Sequence, residues 1–166
     1  RAADAIRAAA VLFAVLEVPL STVEHAVRLA ADTGVRVVVN ASPVADLSES
    51  TLRALDPLIV NQHEAAALLS DQHTHLQGPE LAKALRELGP RSVVVTLGAD
   101  GAVVADADGV TTIPAPKVEV VDTTGAGDAF AGTLCSHLAA GWSLRGATGE
   151  AVIRAAEVVT RQGAQP

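Results

Sequence analysis

Two aspartates flank a glycine-rich turn late in the chain. Asp122 and Asp128 enclose the segment Thr-Thr-Gly-Ala-Gly at positions 123–127, and an apolar run typical of a helix begins near Ala129. Glycine frees the backbone to adopt unusual dihedral angles, and the first N–H groups of a helix have no partner within it. The pattern predicts a small positive cup that binds phosphate-like charge, with Asp128 at its lip. A carboxylate there could accept a proton from a hydroxyl group that attacks a phosphoryl group.

A purely structural interpretation of the same turn stays open. Many connections into helices need glycine for steric reasons, and an acidic residue near a helix start is favoured by the helix dipole. The pair of aspartates favours chemistry, because an acidic residue in an anion cup is electrostatically awkward unless a reaction or a cation requires it.

Composition indicates one α/β unit that handles small molecules. The 166 residues are 49% hydrophobic, enough for a single core and too few for two full domains, so we treat residues 1–166 as one unit. The net charge of −7, without a run of basic residues, argues against nucleic-acid and anionic-membrane partners. The apolar run 8–16 is too short to span a bilayer, and the single Cys135 excludes an internal disulfide. We therefore expect a cytoplasmic location.

Strands and helices alternate along the chain. Apolar, β-branched runs predict strands at residues 11–16, 35–39, 58–60, 92–96, 102–105 and 110–113. Tight Asp-Gly turns at 100–101 and 108–109 predict antiparallel hairpins for the last of these. The predicted helices include 21–33, opened by a Ser21-x-x-Glu24 capping box, and 50–55, 61–69, 80–88, 127–140 and 143–160. The alternation predicts a three-layer αβα sandwich with a mostly parallel sheet.

Four stretches together resemble the PfkB family of carbohydrate and nucleoside kinases, and within it the ribokinases. They are Asp122-Thr-Thr-Gly-Ala-Gly-Asp128, Asn61-x-x-Glu64, Thr96-Leu-Gly-Ala-Asp-Gly101 and the tail 159–166, which occur in the family's order. The resemblance implies an ATP-dependent kinase that transfers the γ-phosphate to the primary hydroxyl of a pentose, with D-ribose converted to ribose 5-phosphate. Two alternatives stay open: a nucleotide-binding domain without turnover, and another sugar or nucleoside kinase of this family.

The resemblance assigns roles to the residues of the turn. Asp128 would be the general base and would contact the substrate hydroxyl, and the backbone N–H groups of Gly125, Ala126 and Gly127 would form an anion hole for the transferred phosphoryl group. Glu17, at the end of the first predicted strand, would contact a sugar hydroxyl.

Nucleotide and metal ligands are implied in the same way. The nucleotide-binding residues would be Asn61, Thr96, Gly98, Ala99, Asp100, Gly101 and Gly127. Glu64 would help to place Mg²⁺ through water, since Mg²⁺ keeps several waters and binds few protein carboxylates. Asp122, Thr124 and the backbone near Val158, Arg161 and Gly163 would form a site for an activating K⁺. The simpler alternative for Asn61 and Glu64 is a helix cap with a first-turn charge.

The chain also departs from the family pattern. The opening strands of the sheet, most sugar contacts, a Gly-Gly motif and the small β-sheet lid through which full-length members often dimerise are not visible. We therefore expect ATP binding but weak or absent sugar phosphorylation by this chain alone. His73 and His75 are interpreted as ordinary surface residues. A dinucleotide-dependent oxidoreductase is excluded because Phe130 stands where the third glycine would be, and a Walker-type NTPase because no Gly-Lys-Ser/Thr occurs.

Overall fold

One six-stranded sheet forms the centre of the computed structural model, which describes residues 1–69 and 76–163. Its strands lie in chain order, β1 Val11–Val15, β2 Arg36–Asn40, β3 Leu55–Asn61, β4 Val93–Thr96, β5 Ala102–Asp106 and β6 Gly109–Ile113. The first four strands are parallel, and β5 and β6 are antiparallel to their neighbours. The predicted mostly parallel sheet with terminal hairpins is confirmed.

Seven helices accompany these strands within the described residues. They are α1 Ala2–Arg7, α2 Leu20–Ala31, α3 Glu49–Ala54, α4 Gln62–Leu68, α5 Gly78–Glu87, α6 Ala126–Ala139 and α7 Leu144–Val158. No described helix is long and apolar enough to cross a membrane.

Alternate residues of the strands point to opposite faces, and each face has its own apolar core. Val37, Val39 and Leu58 belong to a core that includes buried residues of α2 and α5. Val38 and Ile59 belong to the other, which includes buried residues of α6 and α7. Helices therefore cover both faces, and the three-layer αβα sandwich is confirmed.

One ion pair shows on which side of the sheet the ends of α6 and α7 lie. Arg145, at the start of α7, donates to Asp106 at the end of β5 over 2.8 and 3.1 Å. The end of β5 lies beside the start of β4, since Ala105 pairs with Val93. Helix α7 spans about 22 Å from that edge, and α6 packs beside it through the short connection 140–143. The end of α7 and the start of α6 thus lie towards the carboxyl edge of the parallel strands.

Cys135 lies on α6 and packs against the second core. Burial raises the pKa of its thiol to about 11. The thiol is therefore protonated at neutral pH and contributes to packing.

Two local predictions require correction. Helix α2 begins at Leu20 after Pro19, without a side-chain cap, so Ser21 and Glu24 form no capping box. The Glu24 carboxylate instead accepts hydrogen bonds from the Ser48 N–H at 3.1 Å and the Thr51 hydroxyl at 3.3 Å. These hydrogen bonds, from Ser48 first, lower the pKa of the Glu24 carboxyl. Tertiary bonds to the start of α3 thus replace the local cap.

The second correction concerns the start of the helix predicted for residues 80–88. Helix α5 already begins at Gly78, with Pro79 in its first turn, where the missing proline N–H is not needed. The predicted surface residues His73 and His75 lie outside the described residues.

Candidate active site

The carboxyl ends of the parallel strands bring the predicted site residues Glu17, Asn61 and Thr96 to one side of the sheet, together with Asn40. Asn40 pairs with Val15 on one side and Ile59 on the other, and Asn61 pairs with Thr96. Glu17 follows the end of β1 in an exposed turn. Four polar side chains that are far apart in sequence therefore follow one another along the edge where open α/β sheets bind ligands.

Asn61 and Glu64 form a complete capping box at the start of α4. The Asn61 Oδ1 accepts the Glu64 N–H at 2.9 Å, and the Glu64 Oε2 accepts the Asn61 N–H at 2.7 Å. The simpler alternative from the sequence is thus present in the structure. The bonds fix both side chains at the sheet edge, and within the described residues the Asn61 amide N–H groups and the second Glu64 oxygen have no other partner.

The predicted nucleotide turn lies between β4 and β5. Gly98, Ala99 and Asp100 form an exposed 3₁₀ turn, closed by the Leu97 N–H, which donates to the Gly101 carbonyl at 2.8 Å. A Cβ on Gly98, whose φ is +60°, would meet no atom within 4 Å. The backbone at Gly98 is thus bare, so that a flat ligand can approach it closely.

Gly101 closes this turn under a strict steric constraint. Its φ is +100°, and a Cβ would lie 2.1 Å from the carbonyl oxygen of Ile113 and 2.7 Å from the Ala115 nitrogen. Only glycine fits there. The Thr96 hydroxyl donates to the Val60 carbonyl at 3.4 Å, tying the end of β4 to β3.

The glycine-rich turn enters α6 through a left-handed residue. Gly125 is the N-cap, with φ +77°, and Ala126, Gly127 and Asp128 are the first three residues of the helix. The Ala126 N–H donates to the Thr123 carbonyl at 3.2 Å. The N–H groups of Gly125, Gly127 and Asp128 have no hydrogen-bond acceptor within residues 1–69 and 76–163. The start of α6 therefore presents unpaired donors together with the positive end of the helix dipole.

Asp128 belongs to the same first turn and is exposed. Its carboxylate makes no hydrogen bond or ion pair with any side chain in the part of the chain that the structure describes. The carboxylate is thus free to accept a proton from a bound hydroxyl group, as predicted for a base.

The Asp122 carboxylate accepts three hydrogen bonds, whereas the Asp128 carboxylate accepts none from the described residues. The Asp122 Oδ1 accepts the Thr124 hydroxyl at 2.7 Å and the Thr124 N–H at 2.9 Å, and its Oδ2 accepts the Gly163 N–H at 3.0 Å. The Thr124 hydroxyl first, then the two N–H groups, lower the pKa of the Asp122 carboxyl to about 2. An ionised Asp122 therefore links the turn to the tail that follows α7.

A residue that was not predicted joins these two segments. The Val159 carbonyl, directly after α7, accepts the Val121 N–H at 2.8 Å and the Asp122 N–H at 3.2 Å. A backbone carbonyl carries no side-chain signal, so the sequence gives no indication of this role. With the Asp122–Gly163 bond, it holds the end of α7 against the start of the turn.

The predicted K⁺ ligands are brought together in part. Thr124 and Gly163 both donate hydrogen bonds to the Asp122 carboxylate. Val158 and Arg161 lie at the end of α7, where the Arg161 N–H donates to the Val158 carbonyl at 3.1 Å. An ionised carboxylate beside backbone carbonyls is a donor set that fits a monovalent cation. The described residues contain no cluster of three or more His, Cys, Asp or Glu side chains that could hold a metal.

The sequence matches a family of carbohydrate kinases along its whole length. The family model described as pfkB family carbohydrate kinase matches residues 1–166. The chain is 38% identical to the ribokinase of Schizosaccharomyces pombe over 90% of its length, and 32% identical to the deoxyribokinase of Salmonella typhi over 99%. These matches cover 48% and 55% of the two relatives, so the chain spans about half the length of the curated relatives it matches.

A solved structure has the same fold over nearly the whole chain. The crystal structure of the Thermotoga maritima ribokinase superimposes with a TM-score of 0.88 at 29% identity. The superposition covers 98% of this chain and 54% of that one. The sandwich described above is therefore the arrangement found in about half of that kinase.

Proposed function

Because the chain belongs to the pfkB family of carbohydrate kinases, we propose that it forms the nucleotide- and phosphate-binding portion of an ATP-dependent sugar kinase. The observation that carries this proposal is the first turn of α6. There the free carboxylate of Asp128 and the unpaired N–H groups of Gly125 and Gly127 occupy one exposed turn. A base and an anion-binding cup side by side suit phosphoryl transfer to a hydroxyl group.

In the proposed reaction, Asp128 accepts the proton of a sugar hydroxyl while the hydroxyl oxygen forms a bond to the γ-phosphorus of ATP. The bond between that phosphorus and the β–γ bridging oxygen breaks, and ADP leaves. The N–H groups at the start of α6 stabilise the charge on the transferred phosphoryl oxygens, aided by the helix dipole. Ala126 contributes less, since its N–H already donates to Thr123.

The proposed nucleotide position is the turn at residues 96–101. The bare backbone at Gly98 and the exposed Ala99 and Asp100 offer a flat surface at the same sheet edge. Asn61, held beside Thr96 by the capping box, has amide N–H groups available for phosphate oxygens. ATP would extend from this turn towards Gly127.

The cations would add positive charge at the phosphates. Glu64 has one carboxylate oxygen outside the capping box and would bind a water of Mg²⁺. Asp122, Thr124 and the backbone near Gly163 would hold K⁺. Such cations, when bound, neutralise phosphate charge and strengthen the anion cup.

The proposed acceptor is a pentose, with D-ribose favoured. Ribokinases are among the relatives, and the deoxyribokinase relative makes 2-deoxyribose the next candidate. Glu17 and Asn40 supply polar groups at the carboxyl edge near β1 and β2, where a sugar hydroxyl can be bound.

The test measures ADP release and ³¹P signals of sugar phosphate with ATP, Mg²⁺ and D-ribose or 2-deoxyribose. Replacing Asp128 by Asn should lower turnover by at least about 100-fold while ATP binding by calorimetry stays unchanged, because the amide cannot accept the proton. Asp32→Asn, at an exposed aspartate that follows α2, is the matched control and should behave as wild type. Equal turnover in Asp128→Asn and wild type would contradict the role of Asp128 as the general base.

The second candidate function is nucleotide binding without turnover. It is favoured by the exposure of Glu17 and Asp128, because a kinase must hold its acceptor in line and shield it from water. ATP binding with no sugar phosphate formed by wild type would select this candidate. Loss of ATP binding would contradict both.

A further inference from the structure

A concave surface lies at the opposite side of the sheet, near the amino ends of the parallel strands. A cavity of about 560 Å³ opens between the second half of α5, the start of β4 and the hairpin of β5 and β6. Ala105 and Arg91 belong to its lining, and Ala105 pairs with Val93 at the amino end of β4. The candidate active site is at the carboxyl ends of the same strands, so the two sites are separated by the length of the sheet.

Three cationic side chains line this cavity, which we name the α5 cavity. Lys83 and Arg86 are three residues apart on α5 and so share one face of the helix, and Arg91 precedes β4. They are exposed and therefore reachable by a ligand. They lie within nine positions of one another, separated by other residues, on a chain whose net charge is −7.

The charged ends of these three side chains form no ion pair with the described residues. Arg86 donates through Nε to the Arg91 carbonyl at 3.1 Å, which orients its guanidinium and leaves both terminal nitrogens available. Within residues 1–69 and 76–163, Lys83 and the Arg91 side chain have no hydrogen-bond or ion-pair partner. The Arg91 backbone is fixed by its N–H, which donates to the Leu55 carbonyl at 2.9 Å.

The α5 cavity has fewer negatively charged groups than positively charged ones. Asp106 lines it but is neutralised by the bidentate contact with Arg145. The last carbonyls of α5, at Leu85 and Arg86, accept the N–H groups of Leu88 and Gly89. Glu87 is the one lining carboxylate without an ion pair among the described residues. Three free cations against one free carboxylate leave an excess of positive charge.

We propose that the α5 cavity binds a phosphorylated small molecule. Two guanidinium groups and an ammonium group suit a phosphate dianion, which arginine binds through two parallel hydrogen bonds. The volume is within the range of small-molecule sites and larger than inorganic phosphate needs. Pro90 and the exposed Val110 supply apolar walls for the uncharged part of the ligand.

Amide shifts in ¹⁵N NMR spectra test this proposal and do not depend on kinase turnover. The probes are ribose 5-phosphate, glucose 6-phosphate, inorganic phosphate and, as uncharged controls, ribose and glucose. The sugar phosphates should shift the amides of Gly89, Arg91 and Gly109 and bind more tightly than inorganic phosphate. The uncharged sugars should leave these amides unmoved.

The variant Arg86→Gln/Arg91→Gln should weaken sugar phosphate binding at the α5 cavity by at least roughly tenfold, because both bidentate groups are removed. Arg28→Gln, at an exposed arginine of α2, is the matched control and should bind as wild type. Circular dichroism checks that each variant is folded. The proposal is overturned if shifts occur only at Gly125 and Gly127, if the double variant binds as wild type, or if inorganic phosphate binds as tightly as the sugar phosphates.

Discussion

The two turns of the candidate active site are held in place in opposite ways. At the turn 96–101, Gly101 fits because it has no side chain, and the backbone of residues 113–115 occupies the space where one would be. At the turn 122–128, the Asp122 carboxylate accepts three hydrogen bonds, one of them from the tail at Gly163. The first constraint is steric and independent of charge, whereas the second needs an ionised group.

The two kinds of constraint predict that the nucleotide turn and the phosphate cup respond differently to pH and to changes in the tail. The proposed nucleotide surface is fixed by packing against the hairpin of β5 and β6, so it should keep its shape whenever the sheet is folded. The proposed phosphate cup is fixed by the Asp122 carboxylate, which accepts the Gly163 N–H, and by the Val159 carbonyl. Val159 and Gly163 both lie near the end of the described residues. The position of Asp128 should therefore respond to changes in pH and in the tail that leave the nucleotide turn intact.

The steric constraint predicts the largest effect. Gly101→Ala would place a methyl group 2.1 Å from the Ile113 oxygen at a φ of +100°, so backbone must move. We expect a loss of about 3 kcal/mol or more in the free energy of unfolding. For a chain of this length the melting temperature should fall by roughly 6–12 °C, measured by differential scanning calorimetry.

Gly98→Ala is the matched control for this substitution. Gly98 also has a positive φ, of +60°, but its added methyl group meets no atom within 4 Å. We expect a loss of about 1 kcal/mol from the left-handed backbone alone. Equal melting temperatures for the two variants would show that the close contact at Gly101 does not hold the turn.

The charged constraint predicts a smaller, local effect. In Asp122→Asn, Oδ1 can still accept both Thr124 donors, while an NH₂ group replaces the oxygen that accepts the Gly163 N–H. The Gly163 amide should exchange with solvent roughly tenfold faster, and the Thr124 amide should change little. Asp122→Ala should expose both amides.

Hydrogen exchange followed by NMR distinguishes these outcomes. Thr124→Val removes the hydroxyl donor at nearly constant shape and serves as the control for the Thr124 side. Unchanged Gly163 exchange in both Asp122 variants would mean that Val159 alone holds the tail, and the contrast between the two turns would be lost.

The fold was largely predictable from residue patterns. Runs such as Val37-Val-Val39 and Val93-Val-Val95 are apolar on both faces, which is typical of parallel strands covered on both sides, and the Asp-Gly turns marked the hairpins. Glu24 shows where local reasoning fails. Its spacing from Ser21 fits a capping box, but hydrogen bonds to Ser48 and Thr51, residues distant in sequence, determine its position.

The site was predictable only as a set of residues. Motif spacing identified Asp122 and Asp128, but not that the Asp122 carboxylate accepts three hydrogen bonds while the Asp128 carboxylate accepts none from the described residues. Two of the three bonds come from the neighbouring Thr124, and the third depends on the tail, since the Gly163 N–H reaches Asp122 across 41 positions at 3.0 Å. The α5 cavity depends on a long-range contact too, because the hairpin residues Ala105 to Val110 complete a lining whose basic side chains lie within residues 83–91.

The pH dependence of Asp122 is the finest test of the contrast between the turns. Its pKa is lowered from 3.8 to about 2 in the folded chain. A lowered pKa means that the bonds to Thr124 and Gly163 stabilise the fold fully above the ordinary pKa and are lost as pH falls through the lowered one. Protonation of Asp122 should therefore release the tail between about pH 4 and pH 2, a window set by these two values.

The ¹³C shift of the Asp122 carboxyl and the ¹⁵N shift of Gly163 should follow one titration curve in this window, whereas the Gly101 amide should stay constant until global unfolding. Asp122→Asn should remove the transition at Gly163 and leave Gly101 unchanged. If the amides of Gly101 and Gly163 instead move together with pH, the two turns form a single cooperative unit. Asp122 would then stabilise the whole edge of the sheet rather than the phosphate cup alone.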